Sequence, residues 1–184
     1  MNRTLYIVLA VIAAVLLYGG AVYNSLVKGS ENIDNQWAQV EAQYQRRFDL
    51  IPNLVNSVKG AMKQEQEVFG KLADARTKYG SAGTVNEKAA AATEVESALG
   101  RLLVVMENYP QLKSSDTVIT LMAQLEGTEN RISVERKRFN DMTMSYNLVV
   151  KRFPSKLVAM AFGFGEKNYF ESATGAENAP NVSF

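Results

Sequence analysis

The chain has 184 residues, a net charge of +1 and 47% hydrophobic residues, enough for a membrane anchor plus one soluble domain with a real core. The near-balanced charge argues against a nucleic-acid partner, which requires a basic excess. Neither cysteine nor histidine occurs. Disulfides, thiol nucleophiles, Cys-ligated metals, a lipid-modified N-terminal cysteine, the histidine base of a serine triad and the commonest zinc ligand are therefore excluded.

From Thr4 to Val27 there is no charged residue, and Leu5 to Val22 is apolar throughout. At the helical rise this stretch spans about 27 Å, close to the hydrocarbon thickness of a bilayer. Tyr6, Tyr18 and Tyr23 stand near its ends, where amphipathic rings favour the interface, and Arg3 and Lys28 bracket it. The segment reads as a transmembrane anchor over residues 1–28. The rival reading is a cleaved signal peptide, with Gly19 and Ala21 as the small residues before a cut; the uncharged stretch is long for that. Arg3 and the α-amine lean towards a cytoplasmic N-terminus by the positive-inside rule.

Past the anchor, apolar residues recur at steps of four and three. Ile33, Trp37, Val40, Tyr44, Arg47, Ile51, Leu54, Val58, Ala61, Glu65, Val68, Leu72, Ala75 and Tyr79 form one series. This period of 3.5 predicts a single long helix with a coiled-coil-like seam, kinked near Arg47–Phe48 by Pro52 and stopped by Gly80 and Gly83. Thr84 with Glu87 has capping-box spacing and opens a second helix, whose seam is Val85, Lys88, Ala92, Val95, Leu99, Leu102 and Met106. Asn108-Tyr109-Pro110 ends it.

Ser114 to Asp116 cluster capping residues ahead of a third helix. Its seam is Val118, Leu121, Leu125, Thr128, Ile132, Glu135, Phe139, Met142, Tyr146 and Val149, up to Phe153-Pro154. Ser155 is expected to cap a short apolar stretch, Leu157 to Phe162. Beyond it the chain is rich in Gly, Asn, Ala and Ser and reads as a mostly irregular tail, 163–184. No strand alternation appears. The expectation is an all-α protein: an N-terminal single transmembrane helix (1–28), then an antiparallel bundle of long helices with coiled-coil-like packing (29–162).

Arg47 and Glu135 are charged residues that interrupt the seams of the two long helices. Rise arithmetic places them about 40 Å apart, so a pair within one chain is not expected. The same arithmetic leaves residues 30–55 with few neighbours in the chain. Trp37, Val40, Tyr44, Arg47, Phe48, Ile51 and Glu135 are therefore the candidate self-association or partner surface, and a homo-oligomer is expected. A di-metal carboxylate site needs Glu-x-x-His pairs, which a chain without histidine lacks. Glu126, Glu129 and Glu135 alternate with Arg131, Arg136, Lys137 and Arg138 as a salt-bridged solvated face. Gly163-Phe164-Gly165 follows no strand and has no lysine partner, so it is no phosphate loop. Neither metal nor cofactor is expected.

Longer motifs carry a family resemblance. Asn24-Ser25-Leu26-Val27, Asn32-Ile33-Asp34-Asn35-Gln36-Trp37 and Arg46-Arg47-Phe48-Asp49-Leu50-Ile51-Pro52-Asn53-Leu54-Val55 resemble the N-terminal signature of the LemA family. Leu125-Glu126-Gly127-Thr128-Glu129-Asn130-Arg131-Ile132, Arg136 to Asn140 and Tyr146-Asn147 resemble its second signature, and Phe153-Pro154-Ser155 with Leu157-Val158 its third. The resemblance implies a bacterial membrane protein with an N-terminal membrane helix and long antiparallel helices. It also implies a short N-terminus outside the cell, opposite to the charge count. It hands over no catalytic residues. A related form of the domain in magnetosome proteins suggests membrane organisation. Polar signature positions on helices, Arg47 and Glu129 to Arg131, are the expected contact residues.

The functional expectation is a non-enzymatic scaffold in the bacterial inner membrane, with the lipid bilayer and further copies of itself as partners. The alternative is an adaptor or regulator that binds another membrane or envelope protein, such as a protease or sensor.

Overall fold

The structure, a computed structural model, describes residues 3–171, the side chain of Lys113 excepted. All regular structure among them is helical: α1 (Arg3–Val58), α2 (Gln66–Ser81), α3 (Val85–Met106), α4 (Pro110–Lys113), α5 (Asp116–Lys151) and α6 (Ser155–Phe162). The all-α fold of packed long helices is as expected. Residues 163–171 of the expected tail carry no helix or strand, and 172–184 lie outside the described residues.

Helix α1 is one unbroken helix of 56 residues. It runs through Lys28 and Gly29, so no linker separates its apolar segment from its remaining turns. It also runs through Pro52, which removes one backbone hydrogen bond without ending the helix. From Leu5 to Leu17 its large apolar side chains are exposed all round, Leu16 at 70% and Leu17 at 76%. A single buried stripe then takes over at heptad spacing through Leu26, Ile33 and Val40. It continues through Tyr44, Arg47, Ile51, Leu54 and Val58.

The expected continuation of this helix to Tyr79 is not observed. The chain leaves the helix after Val58, turns over residues 59–65 and re-enters one at Gln66. Met62 is fully buried and plugs the turn, while Ala61, an expected seam residue, is exposed. The four–three spacing runs across the break by coincidence of count, and Gly60 weakens the helix where it falls. The seam of α5 also slips by one residue near its end. Thr143 and Val150 are buried, and the expected Met142 is exposed. Ser155 does not cap α6: its Oγ donates to the carbonyls of Val149 and Arg152, at 2.6 and 2.8 Å, closing the end of α5 instead. Gly163, at φ 75°, ends α6 in the left-handed conformation, with the Phe164 N–H donating to the Ala159 carbonyl at 2.9 Å.

The described residues group into two compact units, 3–38 with 137–169, and 39–136 with 170–171. In the first unit α1 and α5 lie antiparallel. Gly29 faces Tyr146 and, farther along α1, Trp37 meets Phe139 edge-on at 5.3 Å between ring centroids. A Cβ on residue 29 would stand 3.0 Å from the Tyr146 ring, so the glycine sets how closely the ring packs. The Asn147 side-chain amide clamps the backbone of Lys167, accepting from its N–H and donating to its carbonyl, each at 2.9 Å. Lys167 in turn reaches Asp34 at 3.3 Å.

In the second unit α1, α2, α3 and α5 pack in alternating directions. The end of α2 returns to the middle of α1, where Phe48 and Tyr79 rings meet at 4.6 Å. The start of α3 returns there too, through the Lys88–Glu41 ion pair. Helix α3 opens with the expected capping box: the Glu87 N–H donates to Thr84 Oγ1 and the Thr84 N–H to the Glu87 carboxylate. Backbone N–H groups of Gly83 and Thr84 hold the Glu87 carboxyl below the usual carboxylate range. Thr84→Ala is expected to cost about 1 kcal/mol, read in a thermal melt of the full chain in detergent as a fall in Tm of about 2–4 °C.

Candidate functional site

The second unit holds a cluster of polar and aromatic groups among its helices. Helix α1 supplies Tyr44, Arg47 and Phe48; α2 supplies Tyr79; α3 supplies Glu96; α5 supplies Glu129 and Arg136; and Phe170 joins them from beyond α6. Glu96 is the centre. Its carboxylate accepts a hydrogen bond from the Tyr44 hydroxyl at 3.1 Å and faces the Arg136 guanidinium at 3.3 Å. That guanidinium lies over the Phe170 ring, 4.2 Å from its centroid, a cation–π contact. Phe48 and Phe170 both stack on Tyr44, at 5.9 and 6.4 Å.

Burial governs protonation here. Desolvation pushes the Glu96 carboxyl above the usual carboxylate range, and the charge of Arg136 offsets only part of that. Burial likewise raises the Tyr44 and Tyr79 hydroxyls above their ordinary range. Beside the cluster, Arg47 is buried and forms an ion pair with Glu129, whose side chain is 45% exposed. Arg47 Nε finds no hydrogen-bond acceptor among the described residues. A groove of about 790 Å³ opens next to this pair, lined mainly by apolar residues of α3 and α5 such as Leu103, Met106, Ile119 and Met122. No group of His, Cys, Asp and Glu suited to a metal ion occurs among the described residues.

The residues expected to form an unpartnered surface fare differently. Val40, Tyr44, Arg47, Phe48 and Ile51 are buried within the second unit, each at most 7% exposed. Trp37, half-buried, packs in the other unit against Phe139. Glu135 is half-buried on α5. The expectation that this stripe lacks neighbours in its own chain is thus corrected. The rise arithmetic assumed that the first helix runs to Tyr79. Because the chain turns back at Val58, α2 and α3 add a reversal that brings α5 antiparallel to α1 instead of parallel to it, and Arg47 meets Glu129 rather than Glu135.

The solvated charged face expected on α5 is partly internal: Glu129 and Arg136 each reach across to another helix. Glu96 and Phe170 escaped the sequence reading. Glu96 lies one residue from Val95, so a seam chosen by hydrophobicity takes the valine. Phe170 stands in a stretch without periodicity, and only its aromatic side chain marks it.

These features define a class. It is an all-α protein of packed long helices with paired charges in its interior, and among its described residues one helix, α1, is long and apolar enough to cross a membrane. Residues 36–184 match the LemA family, and the chain belongs to it. Magnetosome protein MamQ 1 of Paramagnetospirillum magneticum is similar, 28% identical over 89% of this chain and 68% of that protein. Magnetosome protein MamQ of Magnetospirillum gryphiswaldense is 27% identical over 80% of this chain and 64% of its own length. Protein LemA of Metamycoplasma hominis is 23% identical over 74% of this chain and 63% of its own.

Arg47 stands in the first of the family-like motifs and Glu129 in the second, so their ion pair joins the two. The pair is asymmetric. Arg47→Met removes a buried cation and leaves a carboxylate that water can reach, and should cost about 1 kcal/mol or less; Glu129→Ala strands the buried guanidinium and should cost about 2–3 kcal/mol. Chemical denaturation of the full chain in detergent reads both, and an equal or reversed order would contradict the assignment.

The folded chain binds the Glu96 proton more tightly than the unfolded chain does. The contribution of Glu96 to stability therefore grows as pH falls through its raised pKa, is complete below the ordinary carboxylate pKa of about 4.3, and is lost as pH rises. Glu87 acts oppositely and at lower pH: its contribution is present above the ordinary range and fades on further acidification. As pH falls from neutrality to the ordinary carboxylate pKa of about 4.3, the native protein should gain stability relative to Glu96→Gln. Thermal melts of both across that range check this, and parallel changes would count against it.

Proposed function

We propose that this protein is a non-catalytic helical scaffold anchored in the bacterial inner membrane by residues 1–28, and that it self-associates there to organise or support the membrane. One observation carries the anchor: α1 exposes its apolar side chains on every side from Leu5 to Leu17. A helix apolar all round and uncovered by its own chain belongs in lipid. The interior charges are tied to one another, Glu96 with Arg136 and Arg47 with Glu129, which suits a structural part better than a reaction centre. With Val40 to Ile51 buried, self-association falls to the membrane-embedded length. There Gly19 and Gly20 meet nothing within 4 Å of an added Cβ and leave room for a second helix. The magnetosome names of the relatives fit a part in shaping membranes.

A second reading, an adaptor for another membrane or envelope protein, is favoured by the apolar groove of α3 and α5 in the second unit. Such a groove suits the apolar face of a partner helix.

Membrane fractions washed with alkaline carbonate should retain the full chain, and deletion of residues 1–28 should release it. Light scattering in mild detergent should give a mass of several copies. A strict monomer that crosslinks in cells to one different protein in fixed proportion would replace the scaffold with the adaptor. Protease access in sealed vesicles decides which side carries the helices, on which the charge count and the family resemblance differ.

A further inference from the structure

Helix α6 is inside out for a protein in water. Its inward positions are the small residues Ser155 and Ala159, 7% and 1% exposed. Its outward face carries Leu157 at 59% and Met160 at 70%, and Phe153, just ahead of the helix, is 81% exposed. Lone exposed apolar residues are ordinary, but here Leu157 and Met160 stand together on the side of the helix opposite Ser155 and Ala159.

The position of α6 supplies the reason. Tyr23, one residue past the apolar stretch of α1, touches Phe162 at 4.9 Å and Phe164 at 5.7 Å between ring centroids. Helix α5 descends antiparallel to α1, and its Tyr146 packs on Gly29. From Gly29 to Tyr23 the rise is about 9 Å, so the end of α5 and the whole of α6 arrive where α1 passes from polar to apolar surroundings. Arg152 and Lys156 are exposed beside the apolar face. Lys151 is tied to Glu166 at 2.8 Å. Apolar residues turned outward and exposed cations at the mouth of an apolar helix are the features of a segment lying in a bilayer interface.

We propose that α6 lies in the interfacial layer of the same bilayer that α1 enters, with Leu157, Met160 and Phe153 among the acyl chains and Arg152 and Lys156 at anionic headgroups. This rests on α1 being a membrane anchor. The protein thus has a second membrane contact, which fixes the orientation of the first unit against the lipid surface.

The chain has no cysteine, so single-cysteine variants label cleanly. Full-length Leu157→Cys and Met160→Cys, carrying an environment-sensitive fluorophore, are reconstituted in vesicles of phosphatidylcholine and phosphatidylglycerol. Ile12→Cys reports the anchor and Ser97→Cys, on an exposed position of α3, reports water. The expected result is a blue-shifted emission at both α6 positions, with loss of intensity to lipid-borne nitroxide as at Ile12→Cys and little loss to aqueous iodide. Ser97→Cys should show the opposite. Iodide quenching at both α6 positions, with Ile12→Cys in lipid, overturns the inference while the anchor stands. Shielding from iodide and nitroxide alike also overturns it, because protein then covers the face. If Ile12→Cys itself avoids lipid, the anchor fails and this inference with it.

Discussion

One constraint organises the molecule: α1 is a single helix that carries two kinds of surface. From Leu5 to Leu17 its large apolar side chains are exposed on every side. Farther along, the same helix presents one apolar stripe and leaves the rest to water. Backbone hydrogen bonding does not change along its length, so the change is carried entirely by side chains. Everything else in the fold attaches to the striped part. In the first unit α5 lies against the stripe where Gly29 admits the Tyr146 ring; in the second, α2, α3 and α5 cover it from Val40 to Val58.

The interior of the second unit is not purely apolar. Glu96 is kept there by two donors of different kinds, a tyrosine hydroxyl and a guanidinium, and the guanidinium is itself braced on an aromatic ring. Removing two charges from water is costly, and pairing them recovers much of that cost without making the arrangement more stable than well-packed hydrocarbon. What such pairs supply is discrimination between registers. A helix slipped by one residue would leave a charge facing hydrocarbon. Arg47 with Glu129 and Arg136 with Glu96 tie α5 to α1 and to α3.

The LemA-like motifs coincide with these ties. Asp34 and Asn147 hold the Lys167 region, Trp37 packs on Phe139, and Arg47 meets Glu129. Ser155 closes the end of α5. The motifs therefore read as the points at which long helices are locked together.

The sequence by itself determined the helical class, the apolar N-terminal segment, the capping box at Thr84 and most buried positions of α1, α3 and α5. These follow from local spacing and composition, which act within a few residues. Where the first long helix ends was decided only by the tertiary structure. A four–three spacing persists through residues 59–65, and only Gly60 locally disfavours a continued helix over the turn that Met62 plugs. That one turn set the direction in which α5 passes α1, so it also decided that Arg47 meets Glu129 and that the stripe from Val40 to Ile51 is covered. The place of Glu96 and Phe170 in the interior was equally a matter of the fold. A charge beside a seam and a ring in an aperiodic stretch acquire their partners only when distant helices are brought together, and the energy that holds them there exists only in the assembled structure.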